Sequence, residues 1–119
     1  MYTSSSLALA ALEFFVHLQP TRAPDDLLAI PADIPTSIPL SRIRASDLAS
    51  DWRESPAPEA LADIGARWRR NGGTPVLAVP SAVIPHEDNY LLNPLHRAFR
   101  TIRIGSPERF TFDPRMWQR

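Results

Sequence analysis

The stretch MYTSSSLALAALEFFVHL, residues 1–18, carries the clearest structural signal in the chain and one chemical anomaly. Its serines at residues 4–6 offer N-cap hydroxyls to the Ala- and Leu-rich run that follows. The pattern predicts a helix over about residues 5–17, which Pro20 would end. Because this run is apolar on nearly every face, we expect the helix to be central in the fold.

One carboxylate, Glu13, interrupts the apolar run. Burial of an isolated carboxylate costs several kcal/mol unless the group is paired, hydrogen-bonded or protonated. One explanation is a local pair with His17, four residues further on, which would stabilise the helix by about a few tenths of a kcal/mol. The other is a catalytic carboxylate held on a rigid helix at the floor of a cleft. The pattern alone leaves both explanations open.

The composition is that of one ordinary globular domain. The chain has 119 residues, of which 44% are hydrophobic and 22% are charged, and this argues against a disordered chain. Neither a membrane-spanning apolar run nor the flanks of a signal peptide can be found, so we predict a cytoplasmic protein. A net charge of zero offers no basic field to nucleic acid, and the lack of cysteine removes disulfides and thiolate chemistry.

The rest of the chain reads as short strands and helices with proline-rich joints. We predict an edge strand over residues 26–34, broken by Pro31, and then a loop over 35–55 with a helical turn at 47–52. A second helix is predicted over 57–71; its stripe of Leu61, Ile64 and Trp68 faces the core, and Gly72 ends it. A strand over 75–79, a loop that contains Asn89 and Asn93, a short helix at 94–99, and strands at 101–104 and 109–112 are predicted to follow. This order predicts a compact α+β domain.

Other candidates for chemistry have weaker patterns. The three histidines, His17, His86 and His96, lack the i, i+4 spacing of a zinc site, so no metal site is predicted. Ser81 follows a predicted strand, as a nucleophile would, but it lacks the flanking glycines of a nucleophile elbow. The plainer interpretation of Ser81 is a hydroxyl that completes a turn before Pro85.

Three segments together resemble one known family. They are YTSSSLALAALEFFVHL at residues 2–18, LAVPSAVIPHEDNYLLNP at residues 77–94 and FTFDPRMW at residues 110–117. In this order they are similar to the RES domain, a toxin family named for its Arg, Glu and Ser motif residues. The resemblance implies a fold like that of ADP-ribosyltransferases, a mixed sheet with flanking helices, together with an NAD+-consuming activity and an Xre-type antitoxin as partner.

The same resemblance gives roles to single residues. Glu13 matches the motif glutamate and Ser81 the motif serine, which implies that both are catalytic; no metal is implied. Tyr2 matches a tyrosine that borders the NAD+ pocket, and Ser81 would also contact NAD+. His17 matches a family histidine with a supporting role only. Glu13 would stabilise the positive charge that develops on the ribose when the nicotinamide–ribose bond breaks.

One motif residue has no counterpart in this sequence. The family's Arg stands in a Gly-Arg-Trp type stretch before the tyrosine, and no such stretch precedes Tyr2. We therefore expect a single RES-like domain over residues 1–119 that is incomplete at its N-terminus. The predicted function is a toxin that cleaves NAD+ by hydrolysis, phosphorolysis or ADP-ribosyl transfer. The alternative is a truncated, non-catalytic module that binds the cognate Xre-type antitoxin.

Overall fold

The structure is a computed structural model that describes residues 1–18 and 21–117. Its elements, in chain order, are β1 (Tyr2–Ser4), α1 (Leu7–Phe15), β2 (Leu27–Ala29), β3 (Ala32–Asp33), β4 (Leu40–Arg42), α2 (Glu59–Asn71), β5 (Val76–Pro80), β6 (Asp88–Leu92), β7 (Arg103–Ile104) and β8 (Glu108–Phe110). Short 3-10 turns lie at Ala45–Asp47, Arg97–Thr101 and Pro114–Trp117. This mixture of helices and strands confirms the predicted α+β class.

A mixed sheet of four strands, in the order β1-β6-β5-β4, forms the centre of the fold. Strand β6 runs antiparallel to both β1 and β5, whereas β4 runs parallel to β5. Two antiparallel pairs, β2 with β8 and β3 with β7, lie beside this sheet. The register sets Asn89 of β6 between Ser4 of β1 and Val79 of β5, so residues from distant parts of the chain become neighbours.

Helix α1 confirms the first predicted helix, but it is two residues shorter at each end and lies elsewhere in the fold. Ser6 has an extended backbone, and its hydroxyl accepts a hydrogen bond from the Leu9 amide at 3.1 Å, which caps the helix. Leu9 is the buried residue of the helix, while Leu7 and Phe14 are 55% and 46% exposed. The prediction of a central helix was wrong, because α1 packs on β1 at the edge of the main sheet. Pro20 lies outside the described residues.

Helix α2 confirms the second predicted helix, with its start shifted by two residues. Gly72 ends it in the left-handed conformation, at φ 63°, and its amide donates to the Trp68 carbonyl at 3.2 Å. The predicted stripe of Leu61, Ile64 and Trp68 is half-buried. Glu59 in the first turn and arginines in the last turn suit the helix dipole.

Several strands differ from the prediction. Residues 26–34 form two short strands, β2 and β3, because Pro31 separates them into different sheets. Strand β4 occupies part of the predicted loop at 35–55, and β6 occupies the predicted loop around Asn89. The predicted strands near the C-terminus are present as β7 and β8, and they pair with β3 and β2. Residues 97–101 form a 3-10 turn where a short helix at 94–99 was predicted.

Two apolar clusters hold these elements together. Val76, Leu92 and Ile102 form a buried core on one face of the main sheet. A second cluster of aromatic rings packs the C-terminal segment on the end of α1, with ring centroids 5.2 to 5.9 Å apart; its members are Phe15, Phe110, Phe112 and Trp117. Within residues 1–18 and 21–117, no helix has the length and apolarity to cross a membrane.

Candidate active site

The carboxylate of Glu13 is held by two neutral donors from the main sheet. The Ser81 hydroxyl donates to Oε1 of Glu13 at 2.6 Å, and the Asn89 amide nitrogen donates to the same oxygen at 2.8 Å. His17 is exposed, and it forms neither a hydrogen bond nor an ion pair with Glu13. The anomaly in α1 is therefore explained by long-range partners and not by the local pair.

Ser81 lies immediately after β5 and is fully buried. Its hydroxyl oxygen accepts hydrogen bonds from the backbone amides of Val83 and Ile84, at 3.1 and 3.0 Å. The same hydroxyl donates its proton to Glu13. The hydroxyl of Ser81 therefore completes a turn, as the plainer interpretation predicts, and it also contacts the candidate carboxylate; its catalytic role stays a prediction.

Asn89, in the interior of β6, is the residue that sequence reasoning missed. Its side chain is fully buried, and its amide nitrogen donates to the Tyr2 hydroxyl at 2.6 Å as well as to Glu13. Its amide oxygen accepts from the Ser4 hydroxyl at 2.7 Å. Asparagine favours turns, which led to the loop prediction, but the apolar run of residues 90–92 directly after it was an available strand signal.

Tyr2 joins this network through its hydroxyl. The residue as a whole is 59% exposed, but its hydroxyl end lies against Asn89. The pKa of Tyr2 is raised to about 12, chiefly by burial of that end and also by the negative charge of Glu13, while the hydrogen bond from Asn89 acts in the opposite direction. The Tyr2 phenol is therefore protonated at neutral pH.

A groove of about 610 Å³ adjoins the network on one side. Tyr2 and Ser4 belong both to the network and to the wall of the groove. Its other walls are polar at the residues before α1 and apolar along α1, β2 and β8; they include Ser5, Ser6, Leu7, Ala10, Ala11, Phe14, Leu28, Ile30, Phe110 and Phe112. Glu13 is not among the described residues that line the groove, and the Asn89 side chain joins it to Tyr2.

The other candidate residues lie outside this network. His86 is exposed, and the ring of His96 accepts the Ala98 amide at 3.0 Å, which caps the turn at Arg97–Thr101. Across the described part of the chain, no three residues of the His, Cys, Asp and Glu types gather as metal ligands would. The histidines therefore have structural or solvent contacts in this fold.

The fold agrees with a match to a known family. The model of the RES domain family matches residues 1–113. The chain belongs to the RES domain family. The predicted family is thereby confirmed, and the mixed sheet with its two helices is compatible with the RES domain fold.

Curated relatives of this RES domain chain carry toxin names. "Toxin Res" of Yersinia enterocolitica is 36% identical over 117 residues, which cover 98% of this chain and 76% of the relative. "Prs ADP-ribosylating toxin" of Sphingobium sp. is 32% identical over 118 residues, which cover 98% of this chain and 73% of the relative. "Toxin Res" of Photorhabdus laumondii is 31% identical, with 94% and 70% covered.

The roles of Glu13, Ser81 and Tyr2 in this RES domain stay predictions. The three residues are up to 79 positions apart in the sequence. In the structure they meet in one hydrogen-bonded network. Asn89 is the connecting residue, because its amide nitrogen donates to both Tyr2 and Glu13.

Proposed function

We propose that this chain is the toxin of a toxin–antitoxin pair and that it cleaves the nicotinamide–ribose bond of NAD+. The observation that carries the proposal is the carboxylate of Glu13, fixed by Ser81 and Asn89 in a chain of the RES family. One relative is named an ADP-ribosylating toxin, and ADP-ribosylation is a reaction that consumes NAD+.

The chemistry explains why a fixed carboxylate is useful. When the bond between the ribose C1′ and the nicotinamide nitrogen breaks, its electron pair leaves with nicotinamide and positive charge develops on the ribose. A carboxylate already in position interacts more strongly with this charge than with the substrate, so it lowers the barrier. Ser81 and Asn89 are neutral donors, so they orient Glu13 without an ion pair.

The groove beside Tyr2 is the proposed binding place of NAD+. Its volume of about 610 Å³ lies within the range of small-molecule sites. The ring of Tyr2 offers a planar face to the nicotinamide or ribose end, and the serines at residues 4–6 offer hydroxyls to the polar parts of the dinucleotide. The acceptor would be water, phosphate or a protein side chain. The partner would be an Xre-type antitoxin, and the place of action the cytoplasm.

Nicotinamide release from NAD+, followed by NMR, tests the proposal. We expect release by the unmodified chain and a loss of about 100-fold or more in the Glu13→Gln variant, which keeps size and Oε1 but removes the charge. Glu87→Gln is the matched control, because Glu87 is an exposed carboxylate whose side chain lies outside the network.

Two results would contradict parts of the proposal. A Glu13→Gln variant as active as the parent would remove Glu13 from the reaction. A parent chain that releases no nicotinamide would favour the alternative, a non-catalytic module that binds the antitoxin, and binding of the antitoxin by the same sample would then support that alternative.

A further inference from the structure

The side-chain amide nitrogen of Asn89 donates hydrogen bonds to two candidate site residues. This nitrogen lies 2.8 Å from Oε1 of Glu13 and 2.6 Å from the hydroxyl oxygen of Tyr2. We propose that Asn89 is the positioning residue of the site, which anchors Glu13 by Oε1 and turns the Tyr2 proton toward the substrate. This inference rests on the proposed function.

The orientation of the Asn89 amide follows from its partners. A carboxylate only accepts hydrogen bonds, so the nitrogen of Asn89 must face Glu13. The amide oxygen then faces Ser4, whose hydroxyl donates to it at 2.7 Å. Both ends of the side chain are thus satisfied in a fully buried position, which fixes its rotation.

The hydrogen bonds leave one oxygen of Glu13 for a ligand. Oε1 receives the Ser81 proton and one Asn89 hydrogen, whereas Oε2 has no hydrogen-bond donor within residues 1–18 and 21–117. In the same part of the chain no completely buried side-chain oxygen lacks a partner, so Oε2 is not completely buried. Ser81 cannot donate to Oε2, because its single hydroxyl proton is already donated to Oε1 and its oxygen accepts two backbone amides. Oε2 is therefore the oxygen of Glu13 that stays free for a ligand.

The same reasoning applies to the phenol of Tyr2. Its oxygen accepts the second hydrogen of the Asn89 amide, so its own proton must point elsewhere. With a pKa of about 12 that proton is retained at neutral pH. Asn89 thus leaves one acceptor, Oε2, and one donor, the Tyr2 hydroxyl, free for a ligand. A ribose with neighbouring hydroxyl and ether oxygens can use both.

An Asn89→Asp variant isolates the two donated hydrogen bonds. The substitution keeps the size of the side chain and the oxygen that accepts from Ser4, but it replaces both donors by an acceptor that faces Glu13. We expect kcat for NAD+ cleavage to fall by about 100-fold or more and KM to change by less than about fivefold. Asn93→Asp is the matched control: Asn93 is also a buried asparagine, it lies directly after β6, and its oxygen accepts the Leu95 amide. An Asn89→Asp variant with the parent's kcat would overturn the inference.

A stability measurement tests the contact without NAD+. Asn89→Asp sets two carboxylates against each other, so its melting temperature should fall. In the double variant Asn89→Asp with Glu13→Gln, the glutamine amide can donate to the new carboxylate, and the melting temperature should recover by at least half of the loss. Failure to recover would overturn the inference. Recovery in a chain that never cleaves NAD+ would support the positioning of Glu13 and reject only NAD+ as substrate.

Discussion

At the scale of single residues, Glu13 is held by neutral groups and not by a cation. Ser81 and Asn89 stabilise one carboxylate oxygen through hydrogen bonds, and neither of them neutralises the charge. A cationic partner would reduce the field that a developing positive charge on a ribose could use. Neutral donors therefore lower the cost of burying Glu13 and leave its negative charge available to a positively charged transition state.

The pKa of Tyr2 reports the charge of its neighbour. Because Glu13 raises this pKa, a Glu13→Gln variant should bring it down from about 12 toward the ordinary value of 10.0. The ultraviolet absorbance of tyrosinate measures the titration. The chain has two tyrosines, so a Tyr2→Phe variant assigns the signal. An unchanged Tyr2 titration in Glu13→Gln would show that the carboxylate does not act on the phenol.

The raised pKa of Tyr2 also makes a prediction about alkaline stability. The folded protein holds the phenol proton more tightly than the unfolded chain, so the stabilising contribution is complete below pH 10.0 and is lost as the pH rises through about 12. Denaturant unfolding across this range should give a steeper fall in the free energy of unfolding for the parent than for Tyr2→Phe. Equal slopes would contradict the prediction.

Ser81→Ala should cost stability as well as activity. It removes one hydrogen-bond donor to Glu13 and leaves the backbone amides of Val83 and Ile84 without their acceptor. Loss of such partners costs about 1–3 kcal/mol, which denaturant unfolding can measure. Ser106→Ala, at an exposed serine, should stay within about 0.5 kcal/mol of the parent. A Ser81→Ala variant as stable as this control would show that the hydroxyl is dispensable for the turn.

At the scale of elements, the sequence predicts those that carry their own signals. α1 has a serine cap, α2 has a polar start and a glycine end, and β5 is a short apolar run between prolines. These signals are local, so they can be read without knowledge of the fold. The burial of α1 is not a local property, because it depends on the elements that pack against the helix: Leu9 is buried, whereas Leu7 and Phe14 are exposed.

Strands β4 and β6 could not be predicted in this way, since neighbouring strands stabilise them. β4 is three residues long and gains its place by parallel pairing with β5. In β6, Asn89 is unfavourable for a strand on its own, but Ser4, Tyr2 and Glu13 satisfy its polar groups. Asn89, which the sequence did not predict as a site residue, thus depends on partners that are distant in the sequence.

The C-terminal cap of α2 offers a matched pair of glycines. Gly72 has a φ of 63°, whereas no such angle is found at Gly73, and a Cβ at either position would meet no atom within 4 Å. Gly72→Ala should therefore lower the free energy of unfolding by about 1 kcal/mol for conformational reasons alone. Gly73→Ala should stay within about 0.5 kcal/mol of the parent. Equal effects in thermal unfolding would contradict this account of the helix end.

At the scale of the whole molecule, the site is assembled from distant parts of the chain. Glu13 is 68 residues from Ser81 and 76 residues from Asn89. Helix α1 must therefore be held firmly against the sheet for the carboxylate to keep its partners. On its other side, α1 contacts the aromatic cluster of the C-terminal segment through Phe15.

This arrangement predicts that the C-terminal cluster supports the site from a distance. Phe112 is buried and contacts the rings of Phe15, Phe110 and Trp117. Phe112→Leu should lower the free energy of unfolding by about 1–2 kcal/mol, because it removes ring contacts and leaves a small void. Amide hydrogen exchange in α1 should become faster, since the end of the helix loses its support. Phe14→Leu makes the same exchange of side chains at a half-exposed position of α1 and should have little effect on stability. If Phe112→Leu destabilises the protein but leaves α1 fully protected, the cluster stabilises the C-terminal segment alone and does not hold Glu13 in place.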